Sequence, residues 1–283
     1  MIQNPPTHLP TNQIITGDAI AEMKKLKDAS IDLILCDLPY GTTNCEWDVC
    51  LPMDELWEQI KRVIKPNAAV LLFAQQPFAT KLINAADGQD DQVSRRQGRR
   101  GATGRMFRYQ IVWEKAKALG FLNANRMPLR AHELILVFYN RLPTYNPQMM
   151  QGKPYVSKDK RKQHTALYSR YTPKTTVNKG WRYPRDVIRF DQPTTSEGQY
   201  HPTQKPLKLL EYLIKTYSNE PVYDSFASIY SADTVLDMTC GAGSTCVACI
   251  NTGRNYIGIE QNEDFAEVGR IRCAAAQKRK CEK

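Results

Sequence analysis

Short runs dominated by apolar residues recur along the chain, and each has the length of one buried strand. They fall at residues 31–36, 69–73, 134–138, 234–238 and 255–260. Such runs are typical of strands that are buried on both faces of a parallel sheet. Between them, apolar residues recur at the spacing of a helix face, as at positions 56, 60, 63 and 64 and at 207, 210, 214 and 217. Strands that alternate with helices predict an α/β fold.

The strand predicted at 31–36 ends in Asp37-Leu38-Pro39-Tyr40, and Gly41 follows. In open α/β sheets, ligands bind just beyond the carboxyl ends of the strands. Asp37 could accept a hydrogen bond from an amino group there, and Tyr40 could offer its ring face to a planar base. The same residues are also ordinary turn chemistry. Taken alone, the pattern leaves a structural turn and a catalytic turn both open.

A strand, a glycine-containing turn, a helix and a second strand follow one another near the C-terminus. The first strand ends at Asp237, the turn carries Gly241 and Gly243, and the second strand ends at Glu260. An acid about 20 residues after the first glycine is typical of a site that binds ribose hydroxyls. Cys246 occupies the place of the third glycine of the dinucleotide fingerprint. The unit therefore predicts a nucleoside ligand without a pyrophosphate.

Two further stretches could serve either structure or binding. Asp18 follows a short predicted strand, so it could cap the next helix or contact a ligand at the strand end. The stretch from His201 to Pro206 precedes an apolar helix, and Pro206 suits the first turn of that helix. For each stretch, its position in the sequence leaves both a structural function and a function in ligand binding open.

Two segments interrupt the α/β pattern. Residues 87–105 are rich in Gly, Gln and Arg and nearly free of apolar residues, which predicts a flexible exposed insert. Residues 153–189 contain eleven Lys or Arg and two Asp, a net charge of 11 − 2 = +9, with five Tyr or Trp interleaved. Cations interleaved with aromatic rings favour a nucleic-acid interface over a solvated face.

Composition limits the classes of protein further. The 283 residues carry a formal net charge of +10, which favours a polyanionic partner. There is no apolar run of about 18 residues and no pattern of an export signal, so we expect no membrane span and a cytoplasmic location. The eight cysteines are scattered, and Cys246 and Cys249 lie in the apolar body of a helix. They predict core packing, with no metal site.

Together these motifs resemble the amino-directed DNA methyltransferases that use S-adenosylmethionine, in the permuted (beta) class. Asp37 to Tyr40 is similar to the D-P-P-Y motif, and His201 to Pro206 to an H-P-T-x-K-P motif. Asp237 to Gly243 is similar to the D-x-F-x-G-x-G motif, which here lies after the D-P-P-Y motif in the chain. Leu38 stands in place of the first proline, and Thr239 in place of the usual aromatic residue. The resemblance covers nearly the whole chain.

The resemblance implies a Rossmann-like α/β methyltransferase sheet with circularly permuted motif order and an inserted target recognition region. It predicts a catalytic half at 14–140, a target recognition region at 141–195 and a cofactor-binding half at 196–276. Asp37, Leu38, Pro39 and Tyr40 are the predicted catalytic residues. The predicted cofactor site consists of Asp18, Asp37, His201, Thr203, Lys205, Asp237, Gly241, Gly243, Ser244, Thr245 and Glu260. The candidate contacts to double-stranded DNA are Lys158, Arg161, Lys162, Arg182 and Arg185.

The implied reaction moves a methyl group to adenine N6 of a base flipped out of the duplex. Asp37 and the Leu38 carbonyl would hold the amine, and no Pro-Cys nucleophile for cytosine C5 is evident. In the family, Asp in the first motif position accompanies adenine N6 more often than cytosine N4. Four alternatives stay open: cytosine N4, RNA as substrate, a nicotinamide-dependent oxidoreductase, and a catalytically idle DNA-binding protein. A homodimer is a candidate assembly.

Overall fold

The computed structural model describes residues 11–41, 49–87, 105–158, 175–192, 200, 204–224 and 229–282. The chain divides into two compact units. The larger unit comprises Met1–Asn146 and Asp186–Lys283, and the smaller unit comprises Pro147–Arg185. The insert predicted at 87–105 lies, apart from its first and last residues, outside the described part of the chain.

In chain order, the elements are β1 (Gln13–Thr16), α1 (Ala19–Met23), β2 (Ile31–Cys36), α2 (Met53–Val63), β3 (Ile64–Ala74), α3 (Phe78–Asp87), β4 (Phe107–Leu119), β5 (Arg130–Phe138), β6 (Met150–Gln151), β7 (Tyr155–Lys158), β8 (Thr175–Asn178), β9 (Trp181–Arg182), β10 (Val187–Phe190), α4 (Leu207–Tyr217), β11 (Val222–Asp224), β12 (Ile229–Ser231), β13 (Thr234–Asp237), α5 (Ser244–Thr252), β14 (Asn255–Glu260) and α6 (Glu263–Cys281). A single 3₁₀ turn, Phe121–Asn123, is described between β4 and β5.

The larger unit is built on an eight-stranded sheet with the order β1-β14-β13-β2-β3-β5-β4-β10. Five neighbouring strands of this sheet are mutually parallel: β1, β14, β13, β2 and β3. Strand β5 runs antiparallel to both β3 and β4. Because the carboxyl ends of parallel strands share one edge, Asp37 after β2 and Asp237 at the end of β13 are neighbours. Glu260, at the end of β14, pairs with Thr16 of β1. The acids that the sequence placed at strand ends thus lie along one edge.

Helices cover both faces of this sheet, so the predicted α/β fold is confirmed. On one face, α1 to α3 pack against side chains such as Ile34 and Cys36 of β2. On the other face, α4 to α6 pack against the alternate residues, Leu33 and Leu35. Successive side chains of a strand point to opposite faces of the sheet. Because both faces are covered by helices, both sets of side chains are apolar, which explains the continuous apolar runs in the sequence.

Lys65-Pro66-Asn67 has the sequence of a turn, but the structure has no loop between α2 and β3. The helix ends at Val63 and the strand begins at Ile64. Pairing with β2 extends the strand, since Ile64 pairs with Ile31 and Lys65 Nζ lies 2.7 Å from Asp32 Oδ1. Tertiary pairing therefore overrides the local turn signal at this site.

The smaller unit consists of two antiparallel ribbons, β6 with β9 and β7 with β8. Arg182 holds it together, because its guanidinium lies 4.5 Å from the centre of the Tyr155 ring and donates to the Lys153 carbonyl oxygen at 2.6 Å. Its side chain also bonds Asn178. Arg182, a candidate DNA contact from the sequence, thus has a structural function as well.

The cysteines of α5 are core residues, as predicted. Cys246 and Cys249 are both fully buried. Within the described ranges, no group of three metal-ligating side chains occurs. None of the described helices is long and apolar enough to cross a membrane.

Candidate active site

A cleft of about 1060 Å³ runs along the carboxyl edge of the parallel strands in the larger unit. Asp37 and Tyr40 lie at one part of its wall, and Asp18, Asp237 and Glu260 also line it. The ends of β1, β2, β13 and β14 carry these residues, so the strand order brings together positions that are far apart in sequence. The arrangement joins a nucleoside-type turn to a carboxylate and an aromatic ring.

Both oxygens of the Asp37 carboxylate are hydrogen bonded. The Tyr40 hydroxyl donates to Oδ1 at 2.9 Å, and Lys205 Nζ donates to Oδ2 at 2.6 Å. Burial raises the pKa of the Asp37 carboxyl, and the Lys205 ammonium opposes that effect. Burial alone would lower the pKa of Lys205, but Asp37 and Glu133 outweigh it and raise this pKa. Lys205 therefore stays charged beside Asp37.

A row of alternating charges extends inward from the partly exposed Asp37 to three buried residues, and we call it the charge quartet: Asp37, Lys205, Glu133 and Lys115. Glu133 Oε2 lies 3.5 Å from Lys205 Nζ and 3.4 Å from Lys115 Nζ. Glu133 Oε1 accepts a hydrogen bond from Gln75 Nε2 at 3.0 Å. Removing charges from water is costly unless they pair, and these four charges sum to zero.

The quartet shifts the pKa values of its own members. Burial favours protonation of Glu133, but Lys205 and Lys115 outweigh it and hold the Glu133 pKa below its ordinary value. Burial lowers the pKa of Lys115. Each cation also faces an aromatic ring, with Lys205 Nζ 5.0 Å from the centre of the Phe73 ring and Lys115 Nζ 5.0 Å from that of Trp113. The attraction between each ring and its cation offsets part of the free energy that the cation loses when it leaves water.

Thr239 links the turn after β13 to the turn after β2. Its hydroxyl donates to the Asp37 carbonyl oxygen at 3.0 Å and lies 3.1 Å from Cys36 Sγ. The family motif usually has an aromatic residue here, and such a residue has no hydroxyl close to the backbone to make this hydrogen bond. The substitution noted in the sequence thus fixes the backbone that carries Asp37.

Glu260 is held at the predicted nucleoside end of the cleft. Its Oε2 accepts from the Gly241 amide at 2.8 Å, and its Oε1 accepts from the Asn262 amide at 2.9 Å. Each carboxylate oxygen has a second lone pair, so both can still accept from ligand hydroxyls. Asp237 is almost fully buried nearby, and burial raises its pKa to about 6.

The two glycines of the turn have different functions. Both have positive φ, 51° for Gly241 and 72° for Gly243. A Cβ at Gly243 would meet Ile14 Cδ1 at 3.0 Å and Gly269 Cα at 3.1 Å. Gly241 lines the cleft, whereas Gly243 is absent from its described lining. Gly243 thus lets α5 begin against α6, and its function in cofactor binding stays a prediction.

Asp18 caps α1, because its Oδ1 accepts from the Ala21 amide at 2.8 Å. It also lines the cleft, so its function in cofactor binding stays a prediction. Ser244 and Thr245 line the cleft at the start of α5. Ser244 Oγ accepts from Arg272 at 3.2 Å.

Several predicted site residues cannot be placed. His201, Thr203, Arg161 and Lys162 lie outside the described residues. In the smaller unit, Lys158 and Arg185 are exposed, and their contacts to DNA stay predictions. Of the H-P-T-x-K-P stretch, Lys205 is described, and it belongs to the quartet beside Asp37.

The sequence prediction missed Lys115, Glu133 and Gln75. The sequence does contain an indication of two of them, because Lys115 and Glu133 are charged residues next to apolar runs that are predicted to be buried. Glu133 pairs with Trp113 in the ladder of β4 and β5, which sets it near Lys115. Without that register, neither charge has an identifiable partner.

The comparisons with known proteins agree with this geometry. A model of the DNA methylase (N6/N4) family matches residues 31–270, so the chain belongs to this family. It is similar to the DNA adenine methyltransferase YhdJ of Escherichia coli (strain K12), with 27% identity over 90% of this chain and 80% of that protein.

Solved structures share the fold at lower identity. The M1.HpyAVI–SAM complex superposes with a TM-score of 0.57 at 22% identity, over 92% of this chain and 98% of that one. The cytosine-N4-specific PvuII DNA methyltransferase gives 0.58 at 14% identity, over 98% and 95% of the two chains. The fold is therefore the Rossmann-like fold of DNA methyltransferases.

Proposed function

We propose that this chain transfers a methyl group from S-adenosylmethionine to adenine N6 in duplex DNA, at a base flipped into the cleft. The main support is the position of Asp37 and Tyr40, which line the same cleft as the nucleoside-type turn at Gly241 and Glu260. Family membership supports amino methylation of DNA. The order of the motifs in the chain supports the permuted class.

The cofactor is S-adenosylmethionine, and the residues around Glu260 fit it. The Glu260 carboxylate, fixed by two backbone amides, would accept from the ribose hydroxyls. Asp237, Asp18, Ser244 and Thr245 line the same part of the cleft. When bound, the cofactor supplies an electrophilic methyl group.

The residues at Asp37 would prepare the amine. An exocyclic amine is a poor nucleophile while its lone pair is delocalised into the ring. Acceptors at the Asp37 carboxylate and the Leu38 carbonyl would bind its N–H groups and favour a tetrahedral nitrogen. Lys205 and Tyr40 hold the Asp37 carboxylate in place, and Thr239 holds its backbone. This is catalysis by positioning and electrostatics.

The raised pKa of Asp37 suits it for one further step. After methyl transfer, the amine nitrogen must lose a proton, and a carboxylate whose pKa burial has raised accepts a proton more readily. Tyr40 would stack on the base, since its ring lies in the cleft 4.9 Å from the Phe78 ring centre. The smaller unit, Pro147–Arg185, falls within the predicted target recognition region and would read the DNA sequence.

Cytosine N4 is the second candidate acceptor, favoured by the shared fold with a cytosine-N4-specific enzyme. Asp in the first position of the D-P-P-Y motif favours adenine. Incubation of the purified chain with labelled cofactor and duplex DNA, followed by nucleoside analysis, separates the two. N6-methyldeoxyadenosine is expected, and N4-methyldeoxycytidine would overturn the adenine assignment. No labelled nucleoside, with Asp37→Asn as the matched control, would overturn the proposed function.

A further inference from the structure

A hairpin of the larger unit projects beyond its sheet. Strand β4 pairs with β10 as far as Lys115, and β5 pairs with β3 as far as Leu134. Farther out, the ladder continues between β4 and β5, where Leu119 pairs with Arg130. Every residue from 116 to 130 is exposed. We call residues 116–130 the finger.

The finger projects from the catalytic edge of the sheet. Because β5 is antiparallel to both β3 and β4, β4 runs parallel to β2 and β3 and ends at the same edge as Asp37. Between Glu114 and Leu119 the ladder with β5 is irregular, since Glu114 pairs with His132 and Leu119 pairs with Arg130. Leu119 and Arg130 at its base line the cleft that contains Asp37 and Tyr40.

The tip of the finger is apolar and is not covered by the described chain. Phe121 is 77% exposed and Leu122 is 82% exposed. Met127 and Leu129 are exposed beside them. Contiguous exposed apolar side chains of this size mark an interaction surface.

The charges of the finger indicate the partner. Residues 116–132 contain no Asp or Glu, whereas Lys117, Arg126 and Arg130 are cationic. Cations flanking an apolar tip suit a polyanion that has an apolar interior, which is the chemistry of stacked bases between phosphate strands. The shared wall with the catalytic cleft places that partner next to the reacting base.

Backbone hydrogen bonds shape the tip before any partner arrives. Gly120 has φ 89°, and a Cβ added there would meet nothing within 4 Å. The Asn123 amide donates to the Gly120 carbonyl at 3.0 Å, and the Met127 amide donates to the Asn123 carbonyl at 3.0 Å. These turns are local to the finger, so they present Phe121 and Leu122 together at its end.

We propose that Phe121 and Leu122 form a wedge that enters the base stack of duplex DNA and fills the space left by the flipped target base. This inference rests on the proposed function. An extruded base leaves a gap whose neighbours have lost stacking partners, and apolar side chains inserted there restore part of that contact. The cations Lys117 and Arg126 would contact the adjacent phosphates.

The test compares two duplexes that carry the sequence methylated in cells expressing the protein. In one, the target base is paired, and in the other it lies opposite an abasic site and is already unpaired. In the Phe121→Ala/Leu122→Ala double variant, single-turnover methylation of the paired duplex should fall at least about tenfold. On the abasic duplex the variant should stay within about threefold of the wild type, because unpairing is already achieved.

The matched control is Ile271→Ala, since Ile271 is 61% exposed on α6. It should leave both rates unchanged. A second readout replaces the target base with 2-aminopurine, whose fluorescence rises on unstacking; the rise seen with wild type should be lost in the double variant. Thermal melting of the double variant should match the wild type, since both side chains are exposed.

Equal losses on both duplexes, or no loss on either, would overturn the wedge. Methylation of the paired duplex by wild type tests the proposed function separately. A double variant that methylates both duplexes as fast as an active wild type rejects the wedge alone. A wild type inactive on both duplexes would reject the proposed function and the wedge together. A change of oligomeric state in the variant, with unchanged methylation, would assign the tip to a second copy of the chain and overturn the wedge.

Discussion

Lys205 Nζ lies 2.6 Å from Asp37 Oδ2, although the two residues are 168 positions apart in the chain. The contact joins the start of α4 to the end of β2. Glu133 and Lys115 extend it into the charge quartet, so the carboxylate that would hold the amine is part of a balanced buried network. Its geometry depends on residues that never touch the base.

Replacing Asp37 with Asn should abolish most methyl transfer. The change keeps the shape of the side chain but removes the charge that would orient the amine. Loss of an oriented electrostatic contact in a dry site lowers the rate by about 10²–10³-fold. Labelled-methyl transfer measures this loss. Calorimetry separates the two predicted functions of Asp37, because a cofactor affinity within about threefold of wild type assigns Asp37 to the amine rather than to the cofactor. Near-normal turnover would remove Asp37 from catalysis.

Replacing Glu133 with Gln should leave Lys115 and Lys205 without their shared carboxylate. Breaking a buried ion pair from one side costs about 3–5 kcal/mol, so the free energy of unfolding should fall by that order. Methyl transfer should fall too, because Lys205 no longer has its second anchor. Urea denaturation and the labelled-methyl assay measure the two effects.

Two variants sharpen the Glu133 test. Lys115→Met combined with Glu133→Gln removes a cation with the carboxylate, so it should be less destabilised than Glu133→Gln alone. The control is Glu55→Gln, which breaks the exposed pair between Lys24 and Glu55, 3.2 Å apart. Exposed pairs are worth about 0–1 kcal/mol, so this change should be small. Equal losses at Glu55 and Glu133 would contradict the quartet.

The stability of the cofactor-free protein should depend on Asp237 between about pH 4 and pH 6. Burial raises the pKa of this carboxyl from 3.8 to about 6. In that window the folded chain binds the proton and the unfolded chain does not, so stability falls as pH rises. A shift of about two pKa units corresponds to about 3 kcal/mol.

Asp237→Asn cannot ionise, so it should show a shallower decline in unfolding free energy between pH 4 and pH 6 than the wild type. Urea denaturation at several pH values measures both slopes. The variant should be more stable than the wild type at pH 7 without cofactor. Identical slopes would show that Asp237 stays ionised throughout the window.

Replacing Glu260 with Gln should weaken S-adenosylmethionine binding by about 1–3 kcal/mol, because a ribose hydroxyl pair would lose its charged acceptor. The Gln side chain keeps the size of Glu, and its carbonyl can still accept from the Gly241 or Asn262 amide. Calorimetric titration measures the affinity. An unchanged affinity would exclude Glu260 from the cofactor site.

The strand ends of the site could be predicted from sequence, and the contacts between them could not. Apolar runs that end in Asp37, Asp237 and Glu260 are local patterns, and the rule for ligands in α/β sheets places those ends at one edge. The pairing of Glu133 with Lys115 depends on the register of β4 and β5, which no local pattern specifies.

Gly243 shows a second limit of the sequence prediction. A G-x-G turn identifies two positions that need a small residue, but it does not say what approaches each one. At Gly243 the approaching group is Gly269 of α6, 3.1 Å from the position of a Cβ. The partner comes from a helix whose packing only the tertiary structure defines.

Exchange of the smaller unit, Pro147–Arg185, should change the DNA sequence that is methylated and leave the methylated atom unchanged. The unit has its own ribbons, and the Arg182 side chain bonds Asn178 and Lys153 inside it, so it can be exchanged as a block. Base-edge contacts give sequence preference, whereas Asp37 and Tyr40, which would act on the amine, lie in the larger unit.

The exchange uses the matching segment of a related methyltransferase with a different recognition sequence, and sequencing of methylated bases in cells expressing the chimera provides the measurement. An Asp37→Asn chimera controls for host methylation. Exposed Lys158 and Arg185 supply a finer test: if one contacts phosphate, its replacement by Gln should weaken binding to all duplexes alike and lower the salt slope by about one unit. If one reads a base, discrimination at that base pair should relax by about 1–3 kcal/mol. A chimera that still methylates the original sequence would move recognition out of the smaller unit and into the larger one, where the finger is the described segment beside the cleft.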